Sequence, residues 1–226
     1  MRKLAVCMML AFSVLSVYAG DVANFMNLGF SPDGTRFAFG QYGVADVVYQ
    51  SWAEIYCVDV VNNKFVPDGT FIVNPGTATS ATDPRGVFAS LQNKSAAFLA
   101  ASKVDSALRG RTVYIQSEDE PSLKTIAFRD FETKSLYSVE LKTFVEGSGK
   151  EVRSSFYLLV SITGADGKEI RKTVGLPGFK RDGVQDYLIR NIITDNSGRS
   201  LVFVIEKKVY DRNGSSIRFM VETLRL

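Results

Sequence analysis

The chain has 226 residues, 46% of them hydrophobic and 23% charged, with a formal net charge of +3. Those values describe an ordinary globular protein and exclude disordered, collagen-like and disulfide-framed chains, which are poorer in apolar residues or far richer in Gly, Pro or Cys. There is no histidine, so Ser-His-Asp and Cys-His catalysis, His-ligated zinc and His-ligated haem are excluded too.

Arg2 and Lys3 open the chain with positive charge, Leu4 to Val17 is an apolar run, and Val17-Tyr18-Ala19 puts small residues at the two positions a signal peptidase reads. An export signal over residues 1–19 is expected, with cleavage before Gly20 and a periplasmic or secreted destination. A membrane anchor would need ~20 apolar residues where this run offers roughly 14 to 16, and no later stretch qualifies. No transmembrane anchor is therefore expected after cleavage. Leu4-Ala5-Val6-Cys7 precedes the apolar run it would have to follow, which argues against lipidation at Cys7. Cleavage leaves 207 residues with 25 Lys and Arg against 24 Asp and Glu. That balance argues against nucleic acid as a partner, since phosphate binding needs clustered, uncompensated cations. Lys180-Arg181 and Lys207-Lys208 read as solvated strand or loop ends. Cys57, the one cysteine left, has no internal disulfide partner and sits in an apolar run, as a buried thiol would.

Residues 20–226 read as one β-rich domain without linker-like or low-complexity tracts. The first block, about 27–66, is a short antiparallel meander. In it Phe30-Ser31-Pro32-Asp33-Gly34 supplies the first turn, β-rich runs follow from Arg36 and through Ile55 to Val60, and Asn62-Asn63 supplies the second turn. Asp83-Pro84 reads as a helix N-cap followed by a first-turn proline, and Val87, Phe88, Leu91, Ala96, Phe98, Leu99 and Ala100 carry an amphipathic helix to about Val104. Strands follow at Thr112 to Gln116, Leu136 to Val145, Phe156 to Thr163 and Ile170 to Val174. Gly147-Ser148-Gly149 and Asp166-Gly167 mark hairpin turns, the second of type I′. Phe156, Leu158, Val160 and Ile162 share one face with Tyr157 and Leu159 on the other, a pattern for a sheet covered on both sides. The last block, about 191–226, repeats the first. Asn191 to Phe203 matches Asn27 to Phe39 at a constant offset, and Phe219-Met220-Val221-Glu222 matches Tyr56-Cys57-Val58-Asp59.

Phe30-Ser31-Pro32-Asp33-Gly34, the apolar strand after it and Glu54-Ile55-Tyr56-Cys57-Val58-Asp59-Val60 resemble one blade repeat of the TolB-type (WD40-type) periplasmic β-propellers. A wider pattern resembles a spirochaete family of predicted secreted proteins of unknown function over the full mature length. Its pieces are the export signal, the helix after Pro84, Phe128-Arg129-Asp130-Phe131-Glu132, Ser154-Ser155-Phe156-Tyr157, Val174-Gly175-Leu176-Pro177-Gly178, Leu201 to Lys207 and Arg218 to Thr223. The resemblance implies compartment and lineage and no activity. The expected fold is mainly β, with antiparallel meanders forming a small or irregular propeller-like domain with one helix. At ~40 to 45 residues per blade the length allows four or five blades at most. The alternative architecture is a β-sandwich with an attached helix.

The motifs of common chemistries are missing. Gly147-Ser148-Gly149-Lys150 lacks the first glycine and the closing Ser or Thr of a phosphate loop and reads as a hairpin turn. Asp211-Arg212-Asn213-Gly214 lacks the later ligands of a calcium loop and reads as a turn. Glu118-Asp119-Glu120 reads as a solvated acidic loop. No cofactor and no metal site are expected. Carboxylate pairs do acid–base work without histidine, and Asp130 and Glu132, two apart on an expected strand, would face the same way with backbones roughly 6 to 7 Å apart. The plainer reading is a polar strand face with Arg129 and Lys134. Trp52, the only tryptophan, is either a core residue or an aromatic platform for a sugar or partner. The leading expectation is a non-catalytic periplasmic interaction protein that binds an envelope protein or a cell-wall component through loops on one face. The alternative is a carboxylate-dependent hydrolase acting on envelope glycans.

Overall fold

The structure is a computed structural model that describes residues 20–46, 48–76, 83–117, 123–211 and 214–226. The expected export signal at residues 1–19, the acidic cluster at Glu118-Asp119-Glu120 and Arg212-Asn213 lie outside the described residues. Three antiparallel sheets and one long helix make up the fold. The first sheet is a meander in sequence order: β1 (Asn24–Phe30), β2 (Arg36–Ala45), β3 (Gln50–Asp59) and β4 (Lys64–Val73). Helix α1 (Pro84–Ala101) follows. Its N-cap Asp83 accepts a hydrogen bond from Gly86 N at 2.7 Å, with Pro84 in the first turn where no N–H is needed. Phe88 and Leu91 press the helix onto one face of the first sheet with Leu28, Ala38, Tyr42 and Ile55. Gly40 makes that approach possible, because a Cβ there would stand 2.4 Å from the Phe88 ring.

Strand β5 (Arg111–Ile115) leaves the helix and joins a sheet completed only by the end of the chain. In between, β6 (Thr125–Arg129), β7 (Leu136–Glu146), β8 (Arg153–Thr163), β9 (Glu169–Val174) and the short β10 (Arg181–Asp182) form the second sheet, with β9 and β10 both on β8. The third sheet has the order β13-β12-β11-β5, from β11 (Val184–Thr194), β12 (Ser200–Asp211) and β13 (Gly214–Arg225).

The third sheet is the middle layer, and β12 shows why. Leu201, Phe203 and Ile205 enter the core shared with the second sheet, while Val202 and Val204 enter the core shared with the first. The two-residue period of a strand thus delivers apolar side chains alternately to two cores, and all five residues are fully buried. The layers run helix, first sheet, third sheet, second sheet, and the described strands close no barrel. The expected class, mainly β with antiparallel meanders and one helix, is the observed one.

The two end blocks share their first turn. Ser31 N donates to Arg36 O and Gly34 N to Ser31 O. Asp195 N donates to Ser200 O and Gly198 N to Asp195 O. Gly34 and Gly198 close the turns at φ +69° and +70°, the left-handed region that favours glycine. The turns also touch, since Ser200 Oγ donates to Gly34 O at 2.7 Å.

Three expectations are corrected. Among the described residues, the second sheet is covered on one face only. Phe156, Leu158, Val160 and Ile162 are buried, but Leu159 is 38% exposed on a face salted with the pairs Lys142–Glu140 and Arg171–Glu169. The Asp166-Gly167 turn is not type I′, which needs positive φ at both central residues. Only Gly167 is positive, and Gly167 N donates to Gly164 O, as in a type I turn followed by a left-handed glycine. Asp130 and Glu132 do not lie on a strand; β6 ends at Arg129 and both sit in the tight turn before β7.

Candidate functional site

Asp130 is fixed by its turn. Its side chain is 1% exposed and takes a bidentate pair from Arg111 at 2.7 and 2.8 Å, together with hydrogen bonds from Glu132 N at 3.0 Å and Thr133 Oγ1 at 2.8 Å. Arg111 is the first cause of its low pKa, about 2, so this carboxyl holds no proton to donate near neutral pH. Glu132 points to solvent and pairs with Arg111 Nε at 3.0 Å. The two carboxylates converge on one guanidinium, the geometry of a structural clasp. Trp52 is 3% exposed in the core between the first and third sheets. Its Nε1 donates to Asp21 Oδ2 at 3.0 Å, and Arg218 lies 4.1 Å over its ring. It is a core residue and offers no surface platform. Cys57 is buried, and burial pushes its thiol pKa up. Among the described residues, no group of three or more Cys, Asp or Glu side chains could hold a metal ion.

A larger groove than the shallow one beside the Asp130 turn, between β6, β7 and β8, lies elsewhere on the described surface. A groove of about 640 Å³ opens where the β3–β4 turn, the segment from β9 to β10 and strand β13 meet. Each wall has a local cause. Asp59 Oδ1 accepts from Val61 N and Asn62 N at 3.0 Å, an Asx-type turn that brings Asn63 to φ +51°. From there Asn63 Oδ1 accepts from Thr223 N at 2.7 Å, and its amide nitrogen donates to Glu222 Oε2. Opposite, Arg181 stands 4.8 Å over the Phe156 ring and 4.9 Å over Phe179, with its guanidinium 3.5 Å from Glu222 Oε1. Glu222 is 5% exposed, and burial pushes its pKa up against the opposing pull of Asn63 and Arg181. The floor is therefore a buried carboxylate partnered by a partly buried guanidinium. The rim is the reverse: Val61, Phe65, Leu176 and Phe179 are each more than half exposed.

Sequence reading brought none of these residues together. Asn63 was visible as a turn residue, Lys180-Arg181 as a basic pair, and Glu222 as the counterpart of Asp59 in the repeat. The missed signal was Glu222 itself, an acid directly after the apolar run Phe219-Met220-Val221 of the terminal strand, which has to find a partner if buried.

Fold and groove together define a layered antiparallel β protein with a ligand-sized cleft along the edge of its middle sheet. The chain belongs to the DUF2259 family of predicted secreted proteins, whose family model matches residues 38–225. No curated protein and no solved structure matches it significantly. No described helix is long and apolar enough to cross a membrane.

Proposed function

We propose that this secreted protein is a non-catalytic binding protein of the periplasm that takes its ligand, part of an envelope protein or a cell-wall component, into the groove along β13. The observation that carries this reading is the contrast between the exposed apolar rim at Val61, Phe65, Leu176 and Phe179 and a polar floor in which the buried Glu222 is paired with the partly buried Arg181 and Asn63. Ligand sites are concave and mostly apolar, with a few fixed polar groups that set orientation. The equivalent turns at Ser31–Gly34 and Asp195–Gly198 support reading the end blocks as copies of one TolB-like unit, a repeat that presents binding surfaces. The resemblance of the wider sequence supports a spirochaete origin.

The test is site-specific photocrosslinking in intact cells. A photoreactive residue at Leu176 should give one dominant adduct, and the same residue at Ile115, exposed on β5 away from the groove, should not. Equal labelling at both positions, or none at Leu176, would contradict the reading.

A further inference from the structure

We infer that the occupant of the groove is an extended apolar peptide segment carrying a carboxylate, held as an added strand on β13 at Val221; this rests on the binding reading above. β13 is an edge strand, and its outward main chain is capped at Ile217, Phe219 and Thr223. Ile217 N donates to Asp21 O at 2.8 Å and Ile217 O accepts from Ala23 N at 3.1 Å. Phe219 N donates to Gln41 Oε1 at 2.7 Å and Phe219 O accepts from Gln41 Nε2 at 3.2 Å. Thr223 N is held by Asn63. In an antiparallel ladder the residues that do not exchange bonds with the neighbouring strand turn both N–H and C=O outward. By that period Val221 faces the same edge, and neither of its groups has a partner among the described residues.

Val221 is thus a bare step between two positions closed by side-chain amides, and it lines the groove. Gln41 shows what chemistry fits such a step: an amide giving one N–H and one C=O. A peptide group in an extended chain offers the same pair, which is how strand addition to a sheet edge obtains affinity. The apolar rim supplies surfaces for the alternate side chains. Charge selects further. Arg181 is compensated by Glu222 and Arg225 lies 3.7 Å from Asp195, whereas Lys64, exposed at the mouth, has no ion pair among the described residues. The surplus cation favours a ligand with a carboxylate.

The experiment uses the mature, isotope-labelled protein and follows the Val221 backbone amide by NMR. The probe is a pool of acetylated hexapeptides that alternate Thr with Val, Ile, Leu or Phe and close on Glu. The best binder is then N-methylated at one central residue or at its neighbour. Only one of the two N–H groups can face β13, so one methylation should weaken binding about tenfold and the other should not. Lys64→Glu should weaken the unmethylated peptide by about two- to fivefold. Sodium laurate, an apolar anion without peptide groups, is the comparison. Equal effects of the two methylations would overturn strand addition. Laurate binding without peptide binding would overturn the peptide assignment and leave the groove as a ligand site. Binding of neither would overturn the inference, with photocrosslinking at Leu176 then deciding the fate of the binding reading itself.

Discussion

Asp130 accepts four hydrogen bonds while almost wholly buried, and its ionised form is what they stabilise. A carboxyl whose folded pKa lies at about 2, below the ordinary 3.8, contributes stability that is present above the unfolded value and is lost as pH falls through the folded one. Asp130→Asn should therefore lower the unfolding midpoint at pH 7. The cost is about 1.5 to 3 kcal/mol, the usual range for losing charge-assisted hydrogen bonds. The gap to wild type should narrow below pH 4 and close near pH 2. Thermal unfolding by circular dichroism across that range checks it; a constant difference at all pH values would show that charge is not the cause. Gly34 gives a second test. At φ +69°, with a Cβ only 2.2 Å from Asp195 Oδ2, Gly34→Ala adds backbone strain to a collision between the two end blocks. A loss of at least about 1 kcal/mol is expected in chemical denaturation, and an unchanged midpoint would mean that the two turns do not pack as described.

At the scale of elements, β13 carries the largest prediction. Phe219 and Val221 belong to the core between the first and third sheets, Met220 and Leu224 pack on the other core, and Glu222 reaches into the groove. Deleting residues 217–226 strips one flank from both cores and uncovers β12, and an uncovered strand edge invites aggregation. The truncated mature protein should lose its cooperative thermal transition. Val221→Asp should come close to the same result, because it buries a charge without a partner, at about 3 to 5 kcal/mol or more. A cooperative transition at the full-length midpoint would show that β13 is dispensable. Elements set by local chemistry were legible in the sequence: the helix from Asp83-Pro84, the turn at Ser31–Gly34, and β8 from its alternation. Asp130 was misplaced because Phe128 to Glu132 looks like a strand until the short turn and Arg111, distant in sequence, are seen together. The alternation from Phe156 to Ile162 predicts cover on both faces, but Leu159 and Tyr157 lie on the outer face among ion pairs; the strand buried on both faces is Leu201 to Ile205, five apolar residues in a row.

The whole molecule is a stack in which the C-terminal sheet lies between sheets formed earlier in the chain, and this could not be read from local pattern. No local propensity specifies which faces meet, and the groove is assembled from three segments, 61–65, 173–181 and 220–225, that touch only in the folded stack. The same arrangement leaves β13 as a middle-layer edge recessed between two outer layers, which is where a ligand finds both unpaired backbone and apolar walls. The most direct test of ligand binding there is hydrogen–deuterium exchange of the mature protein, alone and with the envelope fraction of its own cells. Slower exchange confined to peptides covering 61–65, 173–181 and 220–225 is the predicted result. Protection centred on the open face of the second sheet around β6 and β7, or no protection at all, would contradict it.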